Sequence, residues 1–158
     1  GVPKLLLKST GLNSGFMILQ YTTAALASEN KSLCFPASAD SIPTSLGQED
    51  HVSMGSISGR KLQQVIRHVE RILSIELICA AQAFDFHRPL TSTPVLEAIH
   101  AAVRRQIPHI EEDQPMEELL QSALALIASG DLIEVATTKA AQLDIALYGQ
   151  HAPTFTDF

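Results

Sequence analysis

The densest group of chemically capable side chains is Gln48-Glu49-Asp50-His51: an amide, two carboxylates and an imidazole in consecutive positions. A carboxylate on a partly buried loop can hold an amine or an imidazole nitrogen, or move a proton between them. Read from composition alone, short acidic clusters of this kind are ordinary loop capping and solvated charge. Three further groups raise the same question. Ala128-Ser129-Gly130 ends an amphipathic stretch, where a small residue followed by glycine suits a helix C-terminus. Gly55-Ser56-Ile57-Ser58-Gly59-Arg60-Lys61 has glycines and cations but the spacing of neither nucleotide fingerprint, and reads as a flexible helix entry. Among six histidines, no pair sits at metal-ligand spacing with a third ligand nearby. No metal is therefore expected, and His109-Ile110-Glu111-Glu112-Asp113 reads as a solvated linker.

The elements that must position these groups read as helices. Residues 1–12 contain Pro3 and Gly11 without a sustained period and form a connector. From Asn13 to about Lys31, an Asn-Ser start suits a helix cap. The helix that follows is apolar on nearly all sides, which predicts burial inside something larger. Residues 33–57, with Pro36, Pro43, Gly47 and Gly55 among polar residues, break regular structure and form one long ordered loop. A long helix is expected from about Ser58, as its cap, to His87. Leu62, Val65, Ile66, Val69, Ile72, Leu73 and Leu77 recur along it at spacings of three and four. Within it, Glu76 reads as a buried carboxylate with a partner, and Cys79 as a small core residue. A third helix begins near Ser92-Thr93-Pro94 and ends before Pro108. A fourth runs from about Pro115 to Ser129 and stops at Gly130, and residues 131–147 can form a last one. Residues 148–158 read as a frayed tail. The domain expectation is thus a connector over 1–12, a helical-bundle region over 13–147 enclosing the 33–57 loop, and the tail.

Bulk composition removes several function classes. The chain has 158 residues, 46% hydrophobic and 18% charged, which supports a sizeable core and excludes a disordered acidic segment. A net charge of −6, with 11 scattered basic residues, argues against nucleic acid. No apolar run reaches the roughly 18 residues of a membrane span. Cys34 and Cys79 form no disulfide framework and no CxxC motif, so a reducing, cytoplasmic compartment is expected.

An ordered series of motifs then specifies a family. Asn13-Ser14-Gly15-Phe16-Met17-Ile18, Ala27-Ser28-Glu29-Asn30-Lys31 and Pro36-Ala37-Ser38 lead into Asp40-Ser41-Ile42-Pro43-Thr44-Ser45. Gln48-Glu49-Asp50-His51-Val52-Ser53-Met54-Gly55 follows, then Ile75-Glu76-Leu77, Ala81-Gln82-Ala83-Phe84-Asp85-Phe86 and Arg88-Pro89-Leu90. This series, covering nearly all of residues 11–130, resembles the aromatic amino acid ammonia-lyase family, its histidine ammonia-lyase branch most closely. Leu46-Gly47 departs from the Ala-Asn that many histidine enzymes carry there, which leaves a tyrosine-specific relative open.

The resemblance implies an all-α fold, a bundle of long antiparallel helices forming the C-terminal part of an ammonia-lyase subunit. It implies elimination of ammonia from L-histidine to give urocanate, with L-tyrosine giving coumarate as the alternative. Implied partners are the amino acid substrate, the remainder of the same subunit and further copies in a homotetramer. A helical domain serving only assembly is the reading from a different class. By the same resemblance Glu49 matches the active-site glutamate, Gln48 helps orient the substrate or the electrophile, and His51 is a weaker candidate. The family's cofactor is a 4-methylidene-imidazolone built from an Ala-Ser-Gly tripeptide, and a tyrosine base and a carboxylate-binding arginine complete the site. The family's tripeptide lies well upstream of the glutamate loop, whereas Ala128-Ser129-Gly130 lies well downstream of Glu49. The segment supplying the electrophile, the tyrosine and the arginine is therefore expected to lie elsewhere, and this chain alone to be inactive.

Overall fold

A computed structural model describes residues 1–9 and 11–147, so the tail expected over 148–158 lies outside the described residues. Five α-helices account for the regular structure: α1 Met17–Leu33, α2 Gly55–Asp85, α3 Pro94–Arg104, α4 Glu117–Ser129 and α5 Asp131–Gln142. No strand occurs among the described residues, and no single described helix is long and apolar enough to cross a membrane. The expected all-α architecture is what the chain adopts.

At 31 residues, about 46 Å of rise, α2 is the spine. Its partners run in opposite order along α1: Lys61 reaches the Phe35 carbonyl, His68 faces Asn30, and Ile75 and Cys79 border the groove that holds Phe16 and Gln20. The two helices are therefore antiparallel. Helix α4 packs against α2, and α3 against α5. Leu19, Ile78, Val103, Ile107, Ala123 and Leu126 meet in one cluster, together with Leu7 of the connector. Burying each of the larger ones contributes about 1.5–3 kcal/mol.

Helix starts depart from the sequence reading. Helix α1 begins at Met17, and neither Asn13 nor Ser14 caps it through its own chain direction. Asp113, from far along the chain, instead holds the turn that leads into the helix: its carboxylate accepts the amides of Ser14 at 2.7 Å and Gly15 at 2.8 Å. In return Asn13 Oδ1 accepts the Asp113 amide at 3.2 Å. These reciprocal bonds clamp the entry turn of α1 from a remote segment. Gly15, at φ +59°, is required here, because a Cβ would stand 2.4 Å from the Leu5 carbonyl oxygen. Likewise α2 starts at Gly55 and not at a Ser58 cap, and α4 at Glu117 and not Pro115. Two starts follow the expectation closely: α5 begins at Asp131, and at α3 Thr93 Oγ1 accepts the Leu96 amide at 3.4 Å with Pro94 in the first position.

The linker after α3 is solvated at His109, Glu111, Glu112 and Asp113, as the sequence suggested, but it is anchored by isoleucines. Ile107 and Ile110 are fully buried, and Gln82 holds the segment in place. Its Nε2 donates to the carbonyls of Leu6 (3.1 Å) and Ile110 (2.7 Å), while its Oε1 accepts the Ile110 amide at 3.2 Å. One helical turn on, Asp85 gathers three cations or potential cations. Arg104 Nη2 lies at 2.8 Å, His109 Nδ1 at 2.7 Å, and His100 Nε2 at 2.8 Å but off the line of a hydrogen bond. Burial pushes the Asp85 carboxyl up. The hydrogen bond from His109 and the charges of Arg104 and His100 outweigh it and hold the group below the ordinary carboxylate range. Glu76, expected to be buried, is exposed.

Two outcomes follow. Gln82→Leu strands the Ile110 amide and two carbonyls in the interior, and is expected to lower stability by about 2–4 kcal/mol. The urea midpoint of the 158-residue chain measures this, and an unchanged midpoint refutes it. Because the native pKa of Asp85 is depressed, its contribution is complete above the unfolded carboxylate pKa of about 4 and fades as pH falls through the lower native value. Asp85→Asn is therefore expected to destabilise the chain at pH 7 and to flatten the acid limb of thermal melts below about pH 4.

Candidate active site loop

Residues 34–54 leave the end of α1 and return to the start of α2. Helix α1 is tied to α2 just before the loop departs, through His68, which is 2% exposed. Its Nδ1 meets Asn30 Oδ1 at 2.8 Å and its Nε2 meets Gln64 Nε2 at 2.6 Å. With an oxygen at one nitrogen and an amide NH₂ at the other, the geometry suits Nδ1–H donating to Asn30 and Nε2 accepting from Gln64, with the Glu29 carboxylate 3.8 Å from Nε2. Arg67 Nη2 holds Gln64 Oε1 at 2.5 Å, which fixes the amide's orientation. Beyond this clasp, Lys61 Nζ donates to the Phe35 carbonyl and pins the first residue of the loop path to α2.

Within the loop, short 3-10 turns form at Ala37–Ala39 and Ser45–Gly47. Ser45, Leu46 and Gly47 are all left-handed, at φ 53°, 55° and 88°. The chain reverses there, so that Thr44 and Glu49 pair as an antiparallel bridge. Both backbone bonds form, from the Thr44 amide to the Glu49 carbonyl at 3.0 Å and from the Glu49 amide to the Thr44 carbonyl at 3.3 Å. A serine and a leucine in the left-handed region each cost about 1–2 kcal/mol.

Gln48 and Glu49 stand side by side, and both are exposed, as are Asp50 and His51. That corrects the expectation of a partly buried loop. Among the described residues neither the Glu49 carboxylate nor the Gln48 amide makes a side-chain hydrogen bond, and the cavity of about 250 Å³ at the loop base is lined by Leu33, Phe35, Lys61 and Leu62 without them. The arrangement presents an acceptor and an amide outward on a pinned loop. It does not by itself enclose a small molecule.

The other candidates resolve as structure. Ala128 and Ser129 complete α4, and Gly130 caps it at φ 77°. Ser129 Oγ is engaged, donating to the Leu126 carbonyl at 3.2 Å and accepting the Asp131 amide at 3.2 Å. These residues do not fit a strained, enclosed cyclising tripeptide, and no chemical step is assigned to them. Gly55 and Gly59 lie within α2 and form no phosphate loop. No group of three His, Cys, Asp or Glu among the described residues could hold a metal ion. Sequence reading missed the Asp85 cluster, although His100 and Arg104, four apart and so on one face of α3, carried a signal for it. The cluster lies at the opposite end of α2 from Glu49.

Comparison with known proteins adds to this geometry. Residues 1–105 match the model of the aromatic amino acid lyase family. Histidine ammonia-lyase of Sorangium cellulosum is 54% identical over 133 residues, which cover 84% of this chain and 26% of that protein. Among solved structures, histidine ammonia-lyase from Trypanosoma cruzi superimposes with a TM-score of 0.83 at 47% identity, over 87% of this chain and 27% of that one. A tyrosine aminomutase from Streptomyces globisporus gives 0.80 at 33% identity, over 88% and 27%. The chain thus spans about a quarter of the length of the relatives it matches.

Proposed function

Because the chain belongs to the aromatic amino acid lyase family, we propose that it is the C-terminal part of a histidine ammonia-lyase subunit, which eliminates ammonia from L-histidine to give urocanate. The observation that carries this reading is the exposed Gln48-Glu49 pair on a pinned loop, inside a chain 54% identical to a histidine ammonia-lyase. Substrate choice rests on the same comparison, since likeness to a tyrosine aminomutase is lower at 33%. L-Tyrosine is the second reading, favoured only by Leu46-Gly47 at the loop tip.

In this proposal Glu49 holds the substrate amine or an imidazole nitrogen, or moves a proton between them, and Gln48 orients the substrate. Electrophile, base and carboxylate anchor come from the rest of the subunit or its neighbours, so the exposure of Glu49 marks half of a shared site. A homotetramer fits the unpartnered apolar surface. On α2, Leu62, Ile66, Val69 and Leu73 are 42–59% exposed, and their alternating spacing of four and three is the seam a second long helix covers. On α1, Ile18 and Tyr21 are also exposed. A reducing, cytoplasmic setting suits the two free cysteines.

The test splices residues 1–147 into the Sorangium cellulosum enzyme in place of its matching segment and follows the ultraviolet absorbance of the conjugated acid. The isolated chain is expected to give no product from L-histidine, L-tyrosine or L-phenylalanine, whereas the spliced protein converts L-histidine. Glu49→Gln in that protein is expected to lower turnover by about 100-fold or more with the tetramer intact on size exclusion. Near-normal turnover sinks the assigned role. Ser129→Ala is expected to leave turnover within about twofold, because its hydroxyl serves a helix end; abolition of activity there overturns that assignment.

A further inference from the structure

We propose that Ser41 is a positioning residue for Glu49: its hydroxyl closes the loop that carries the carboxylate. The inference rests on the glutamate role proposed above. Ser41 Oγ accepts the amide of Val52 at 2.9 Å, eleven residues away, and so ties together the two ends of the segment containing Gln48 and Glu49. Ser41 and Val52 are half-buried, while every residue between them is exposed. No core packing holds that segment. Inside the Ser41–Val52 tie sit the Thr44–Glu49 backbone bridge and the turn bonds from the Gly47 and Gln48 amides to the Thr44 and Ser45 carbonyls, spanning the left-handed run Ser45-Leu46-Gly47. The run costs conformational energy and so pulls against closure, and the outer tie works against it.

Without the Ser41 oxygen the Val52 amide, being half-exposed, can bond water. The global cost is then small. The catalytic cost is larger, because a misplacement of about 1 Å in a reacting group lowers rates by as much as 100-fold. The loss therefore runs chiefly through Glu49, whose carboxylate this segment carries beside Gln48. A merely structural serine would lower activity whether or not the carboxylate were present.

The experiment uses the spliced, full-length protein with Ser41→Ala, Ser41→Thr, Glu49→Gln and the double variant Ser41→Ala/Glu49→Gln. Ser41→Ala is expected to lower kcat by about tenfold or more, with KM moved less than about threefold and the tetramer retained. Ser41→Thr, which keeps the oxygen, returns kcat to within about threefold of the parent. In the Glu49→Gln background, removing Ser41 is expected to cost less than about twofold more. A Ser41→Ala variant within twofold of the parent overturns the proposal while leaving Glu49 in its role. So does a Ser41→Ala loss of equal size in both backgrounds. Normal turnover in Glu49→Gln overturns both readings together.

Discussion

The Gln82 carboxamide is the contact on which the rest of the molecule depends. Helices satisfy their own backbone groups, but the connector around Leu6 and the segment around Ile110 each press a short stretch of backbone against the core without doing so. A buried unpaired peptide group costs several kcal/mol, so these segments can lie there only where something supplies donors and acceptors. Gln82 supplies two of each kind of contact from one rigid spine: donors to two carbonyls, an acceptor for the Ile110 amide, and a longer contact at 3.4 Å with Arg104. Arg104 in turn bonds the carbonyls of Ile107 and Pro108 and the carboxylate of Asp85. Neutral amide and ion cluster therefore act on the same stretch of chain, one turn apart on α2.

That arrangement separates the labour of α2. Its C-terminal half organises the interior, and its N-terminal half anchors the loop that bears Glu49. Between them, His68 joins α1 to α2 through a ring held at both nitrogens, so the point at which the loop departs is defined by directional bonds as well as packing. A loop without core contacts of its own needs such an origin. Otherwise the carboxylate would inherit the motion of a long exposed segment.

Helical periodicity made five helices legible, and Pro94 and Gly130 marked two boundaries well. It could not say which apolar face pointed inward. On α2 the seam Leu62, Ile66, Val69, Leu73 faces out while Ile75 and Ile78 face in. Glu76 was misread for that reason, since it neighbours the outward seam. Nor can periodicity reveal partners remote in sequence. Asp113 looked like one of several solvated acids, and Gln82 is the same residue type as the surface-side Gln63. Glu49 became a candidate through the family resemblance, because an exposed acidic loop has no local feature that separates a catalytic carboxylate from a solvated one. Its closure by Ser41 lay within reach of neither periodicity nor composition.

The clamp on the entry turn of α1 has a consequence for how this region is made. Asp113 meets Ser14 and Gly15 across 99 and 98 residues, and Leu6 waits for Gln82 across 76. During synthesis α1 therefore emerges with its entry turn open, and that turn stays open until Asp113 has also left the ribosome. Closing so large a loop is slow relative to forming α1 and α2 themselves. The α1–α2 hairpin, stitched locally by Asn30 and His68, can form early. The connector around Leu6 is then among the last parts of this region to lock, although it precedes α1 along the chain.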